Sequence, residues 1–190
     1  MMRRKKGIEM GHTDNAAMQS DALVLFGITG DLARKKIFPA LYAMAKRGAL
    51  NVPVVGVATS KLSQAELRKR AGDAIKKSGK IDDKPAFDHL LSLLSYVSGN
   101  YNDPGTFKAL KKALGDARRP AHYLAIPPVL FEAVIQGLGA TGLADGARVI
   151  VEKPFGRDLA SARELNRILR SVFTEDAIRA YPVVTDIYQM

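Results

Sequence analysis

Two short runs combine residue types that chemistry uses: Gly27-Ile28-Thr29-Gly30-Asp31-Leu32-Ala33-Arg34 and Glu152-Lys153-Pro154-Phe155-Gly156. The first has the spacing G-x-x-G-x-x-A. Gly27 permits a sharp exit from a strand, Gly30 removes a side chain where backbone must approach an anion, and Ala33 lets a helix pack close to a sheet. Backbone N–H groups at the start of such a helix face an anion, helped by the helix dipole. Thr29 adds a hydroxyl donor. Arg34, Lys35 and Lys36 add positive charge, or form a solvated helix face. In the second run, Lys153 stands where it can bridge two ligands or stabilise a developing charge.

Other chemistries are excluded by what the chain lacks. It has no cysteine, so thiolate nucleophiles, disulfides and zinc–thiolate sites are ruled out. A nucleoside-triphosphate P-loop needs G-x-x-x-x-G-K-[ST], and a hydrolase elbow needs G-x-S-x-G; neither occurs. The histidines are His12, His89 and His122, and none stands with a carboxylate in a recognisable dyad.

The elements that must position these runs are legible from hydrophobic pattern. Ala22 to Phe26 is a continuous apolar run of strand length, as in a strand buried on both faces. A helix follows from about Asp31, with Ile37, Leu41 and Met44 at helical spacing and Gly48 as its stop; Pro39 predicts a kink within it. Val52–Ala58, Leu93–Ser98, His122–Ile126 and Arg148–Glu152 read as the next strands. Between them, Ser63-Gln64-Ala65-Glu66 opens a helix to about Lys77 with a capping box, and a short helix precedes the third strand. Phe107–Leu114 is a short helix closed by Gly115, and Pro127-Pro128 starts a helix to about Leu138. Asp158 caps a long amphipathic helix carrying Leu165, Ile168, Leu169 and Val172. Five strands alternating with helices predict a single α/β domain. It is a Rossmann-like, doubly wound parallel sheet with its ligand crevice at the strand C-termini.

The chain's 190 residues suit one domain with a sizeable core, and 47% hydrophobic with 25% charged residues fits a globular protein. Residues 1–20 read as a polar, flexible leader: Arg3, Arg4, Lys5 and Lys6 precede no apolar run of signal length. A cytoplasmic location, with no membrane partner, is expected. The net charge of +10 is spread over several helices without an aromatic platform, so it reads as solvated surface rather than a nucleic-acid interface.

The end of the second strand discriminates between dinucleotides. NAD sites place Asp or Glu there against the ribose 2′-hydroxyl. This chain has Ala58-Thr59-Ser60-Lys61, with no carboxylate to repel a 2′-phosphate, so the expected cofactor is NADP.

Three motifs then carry a resemblance. Gly27-Ile28-Thr29-Gly30-Asp31-Leu32-Ala33-Arg34-Lys35-Lys36, Tyr123-Leu124-Ala125-Ile126-Pro127-Pro128 and Val151-Glu152-Lys153-Pro154-Phe155-Gly156-Arg157-Asp158 occur in the order seen in the glucose-6-phosphate dehydrogenase family. From Asp21 to Ile178 the chain resembles that family's N-terminal coenzyme domain. The resemblance implies that Gly27 through Arg34 contact NADP and that Lys153 lies between the nicotinamide and glucose 6-phosphate. It also puts Thr59 where the family often has an arginine for the 2′-phosphate, which leaves NAD use open as well. The family's reaction oxidises glucose 6-phosphate to a 6-phosphogluconolactone in the pentose phosphate route.

Beyond residue 178 the family continues into a sugar-phosphate motif, an α+β substrate domain and a general-base histidine. Here the chain reads Arg179-Ala180-Tyr181-Pro182 and on to Met190, expected as a divergent tail of a truncated chain. That departure implies a domain inactive alone, with self-association through a surface that otherwise meets the substrate domain. Two other readings stay open: a non-catalytic NADP-binding or interaction module, and a fragment of an inositol-dehydrogenase-type sugar oxidoreductase. The Phe155-Gly156-Arg157-Asp158 run speaks against the latter.

Overall fold

The computed structural model describes residues 20–153 and 159–182, with the backbone alone for residues 153 and 180–182. The chain opens with β1 (Ala22–Phe26), a π-helical turn (Ala33–Ile37) running into α1 (Phe38–Lys46), β2 (Val54–Ala58) and α2 (Gln64–Ser78). It continues with α3 (Lys84–Leu93), β3 (Leu94–Ser98), α4 (Pro104–Leu114) and β4 (Pro120–Leu124). A 3-10 turn at Pro128–Leu130 leads into α5 (Phe131–Ala140), followed by β5 (Arg148–Lys153), α6 (Leu159–Arg170) and β6 (Ile178–Pro182). The strands form one sheet in the order β3-β2-β1-β4-β5-β6, and every pairing is parallel. This is the expected doubly wound architecture, with β1 central and the strand order reversing between β1 and β4.

The unbroken apolar run of β1 is explained by its two faces. Leu23 and Leu25 point into a core shared with α1, α2 and α3, while Ala22, Val24 and Phe26 point into a second core under α4, α5 and α6. All five residues are buried. Side chains alternate across a strand, so one covered on both sides needs apolar residues at every position.

Local chemistry sets the element ends. Ser63 and Glu66 form the expected capping box: Ser63 N–H donates to Glu66 Oε2 at 2.7 Å, and Glu66 N–H donates to Ser63 Oγ at 3.2 Å. Asp83 and Asp103 cap α3 and α4 with one side chain each, accepting from the N–H groups of Ala86 and Gly105. The Asp158 cap lies outside the described residues. Pro39 produces no sharp break. The helix widens one turn earlier, where Phe38 N–H donates to Ala33 O across five residues. A π-type turn accommodates the ring and the missing donor of Pro39 within a continuous helix.

The strands differ from the expected ones chiefly at β4 and β6, and β2 starts at Val54 rather than Val52. β4 begins and ends two residues early. The Asp21 carboxylate accepts the N–H groups of Arg118 and Arg119, both at 2.8 Å, and so feeds the chain into the sheet beside β1 at Pro120. Proline is tolerated there because the first residue of a strand need not donate. The sheet also has a sixth strand, β6, which starts at the residue where the sequence suggests the domain ends. Among the described residues β6 is an edge strand paired only with β5, so it needs neither a continuous apolar run nor a donor at Pro182.

Candidate functional site

The parallel sheet brings the C-terminal ends of β1, β2, β4 and β5 to one edge, and the glycine turn lies at its centre. Gly27 adopts φ +81°, and a Cβ there would lie 2.2 Å from the Ala125 carbonyl oxygen. Only glycine fits both constraints. Its N–H donates to Val57 O at 2.8 Å and lies 3.1 Å from the Tyr101 hydroxyl, which in turn donates to Val57 O. Burial pushes the Tyr101 phenol up to about 12, so it is a fixed neutral donor. Gly30 N–H closes the turn onto Gly27 O at 2.9 Å, and Gly30 itself is exposed at the tip. A Cβ on Gly30 would sit 3.2 Å from Gly27 O, tight but open toward solvent.

Ile28 anchors the turn from below. It is buried against Gly56 of β2, where any side chain would come within 2.7 Å of it. The sequence reading missed Gly56; its signal was a lone glycine inside an otherwise apolar strand. Ala33 is fully buried and brings the helix close to the sheet, and Leu32 packs against the same core. Asp31 is exposed and paired with Arg34 at 2.8 Å and Lys35 at 3.2 Å. Those hydrogen bonds, Arg34's first, hold its carboxyl below the usual carboxylate range.

The exit of β2 is drawn over the turn. Thr29 Oγ1 and Ser60 Oγ are 3.2 Å apart, so a hydroxyl of the glycine turn meets one from the strand exit. Tyr96 of β3 braces this exit by donating to Ser60 O at 2.6 Å. Thr59 is exposed beside it. Below the turn, a cavity of about 350 Å³ opens between α1 and α2, lined by Thr29, Gly30, Arg34, Phe38, Arg70 and Ala74, among others. Arg70 is the second residue that sequence reasoning missed. It shares a helical face with Ala74 and Lys77, four and seven residues further on.

On the other side of the edge, Tyr123 of β4 donates a hydrogen bond to the Glu152 carboxylate of β5. Burial, and then that carboxylate, raise the phenol well above its ordinary value. Lys153 follows at the last position of β5, in register with Pro182 of β6. The remainder of its motif, residues 154–158, lies outside the described residues.

The two described histidines stand away from this edge, and His12 lies outside the described residues. His89 Nε2 lies 3.0 Å from Leu50 O, near the opposite ends of the strands. His122 is fully buried in the middle of β4, with Nε2 bonded to Leu143 O at 2.8 Å. Among the described residues no group of three or more His, Asp or Glu side chains is arranged to hold a metal ion. No helix among them is long and apolar enough to cross a membrane. The backbone cradle at Gly27 and Gly30, with the cavity beside it, fits a dinucleotide: a Cβ at either glycine would crowd the turn that a pyrophosphate must approach.

A family model described as "Glucose-6-phosphate dehydrogenase, NAD binding domain" matches residues 24–180. The chain belongs to that family. Glucose-6-phosphate 1-dehydrogenase 1 of Mycobacterium tuberculosis (strain H37Rv) is 47% identical over 165 residues, which is 87% of this chain and 35% of the relative. Glucose-6-phosphate 1-dehydrogenase 2 of Mus musculus is 34% identical over 178 residues, 88% of this chain and 34% of its own length. Among solved structures, glucose-6-phosphate 1-dehydrogenase from Mycobacterium avium superposes with a TM-score of 0.80 at 48% identity, covering 85% of this chain and 35% of that one. A glucose-6-phosphate dehydrogenase solved with its substrate glucose 6-phosphate gives 0.75 at 35% identity, covering 85% and 36%. The chain therefore spans about a third of the length of these glucose-6-phosphate dehydrogenases, and it corresponds to their NAD(P)-binding domain.

Proposed function

We propose that this domain binds NADP across the glycine turn and serves as the cofactor half of a glucose-6-phosphate dehydrogenase. One observation carries the reading: a turn that only glycine can make, roofed by Thr29 and Ser60, at a β2 exit with no carboxylate. In this reading the turn from Gly27 to Arg34 cradles the pyrophosphate, with Ile28, Asp31, Leu32 and Ala33 shaping it. Thr29 and Thr59 lie beside the adenosine ribose. Lys153, at the end of β5, stands between nicotinamide and glucose 6-phosphate. When bound, NADP supplies the hydride acceptor. The chain's own residues bind and orient it, and Tyr123 fixes the Glu152 carboxylate next to Lys153. A cysteine-free chain of this family suits the cytoplasm.

Oxidising a sugar hydroxyl also requires a base to take its proton. His122 is sealed in the core and His89 is bonded to Leu50, so neither is placed to be that base. The 190-residue chain is expected to bind cofactor without turning over sugar. This favours a second reading, a dinucleotide-binding module that acts by association. Calorimetry with NADP and NAD, alongside NADPH formation from glucose 6-phosphate, tests both. Binding without turnover supports the proposal. Turnover lost in Lys153→Ala would show a complete enzyme, and no binding of either nucleotide would remove both readings.

A further inference from the structure

We propose that Arg70 of α2, acting with Thr29, reads the cofactor's 2′-phosphate and so sets the preference for NADP over NAD. The inference rests on the dinucleotide reading above. In a doubly wound sheet the adenosine ribose lies between the glycine turn and the end of the second strand. Here that place is framed by Thr29 and Ser60, and Tyr96 ties Ser60 to β3. Arg70 belongs to the same neighbourhood: its charge acts on the Tyr96 phenol and on Glu66, and its side chain lines the cavity together with Thr29 and Gly30.

Arg34 and Asp73, two of the three other charged groups lining the cavity, are already engaged. Arg34 is paired with Asp31 and Asp73 with Lys69, and the Glu66 carboxylate is held by the Ser63 cap. Among the described residues, Arg70 makes no hydrogen bond or ion pair within these distances, and neither does Lys77 farther along the helix. A guanidinium presents a planar fork of donors that matches a phosphate bidentately, and a lysine acts only as a point charge. Thr59 is exposed and carries no charge, and Lys61 at the same strand exit does not line the cavity, so the unpaired guanidinium facing this place is Arg70 of α2.

The test is calorimetric titration of the 190-residue chain and its Arg70→Gln and Arg70→Lys variants with NADP and with NAD, each variant's fold checked by circular dichroism. Arg70→Gln is expected to weaken NADP at least about tenfold, on the scale of losing one charge-assisted contact, and to move NAD less than about twofold. Arg70→Lys is expected to fall between. An NADP-to-NAD ratio unchanged in a folded Arg70→Gln variant overturns the assignment while leaving the cofactor site standing. A wild-type chain that binds neither nucleotide overturns the cofactor reading and this proposal with it.

Discussion

The two halves of the sheet's C-terminal edge are built on different principles. On the β1/β2 side the site is backbone: a glycine at φ +81°, carbonyls and N–H groups locked to Val57 and Ala125, and hydroxyls that only trim it. On the β4/β5 side it is side chains: the Tyr123–Glu152 pair, which comes just before Lys153 at the strand end. A pyrophosphate is the same in every dinucleotide, so a rigid backbone cradle suffices for it. Orientation of a substrate requires groups whose charge and position can be tuned separately. The first half should therefore fail by steric disruption and the second by lost polar partners.

Gly27→Ala should break the contrast most strongly. The added methyl meets the Ala125 carbonyl in a backbone conformation that L-residues rarely adopt. A loss on the order of 3 kcal/mol is expected in denaturant unfolding, with NADP binding abolished. Gly30→Ala, at the open tip of the same turn, should keep the fold.

Acid should act on the β4 half. His122 is held neutral by burial, its pKa pushed down to about 4 from 6.5, and its Nδ1 has no partner in the core. The folded state thus binds fewer protons than the unfolded one. Its stability is fully present above pH 6.5 and falls as pH drops from 6.5 toward 4, by up to about 3 kcal/mol. Urea melts across that window should show the decline, and His122→Leu should flatten it.

Tyr123→Phe should be milder. Removing the donor leaves a half-buried carboxylate with one partner fewer, at a cost of about 1–2 kcal/mol. NADP affinity should stay unchanged, because the cofactor half does not depend on this pair. The smallest effect is expected from Thr29→Val, which loses the contact with Ser60: a few tenths of a kcal/mol in stability and a few-fold in NADP affinity.

These differences also explain what the sequence revealed. The turn was legible because steric necessity leaves a glycine at a fixed spacing between an apolar run and a helix. The caps of α2 and α4 differ in the same respect: Ser63 and Glu66 form a spaced pair, whereas Asp103 before Pro104 is a single residue that needs the folded chain to show its role. Arg70 and Gly56 were not legible, since their significance lies in what α2 and β2 bring beside them rather than in neighbours along the chain. β6 escaped notice because an edge strand needs only one partner, so Arg179 and Pro182 break no rule there. The π turn before Pro39 was half legible: the conflict could be seen, but not that the helix would absorb it by widening.

The central claim is that the turn from Gly27 to Arg34 is where a dinucleotide binds. Titrating isotope-labelled protein with NADP and following backbone amide resonances tests it most directly. The largest shifts are expected at Gly27, Thr29, Gly30 and Ser60, with smaller ones at Arg70 and little change at the opposite edge around Arg119 and Arg148. Shifts confined to that opposite edge, or none at saturating NADP, would contradict the account.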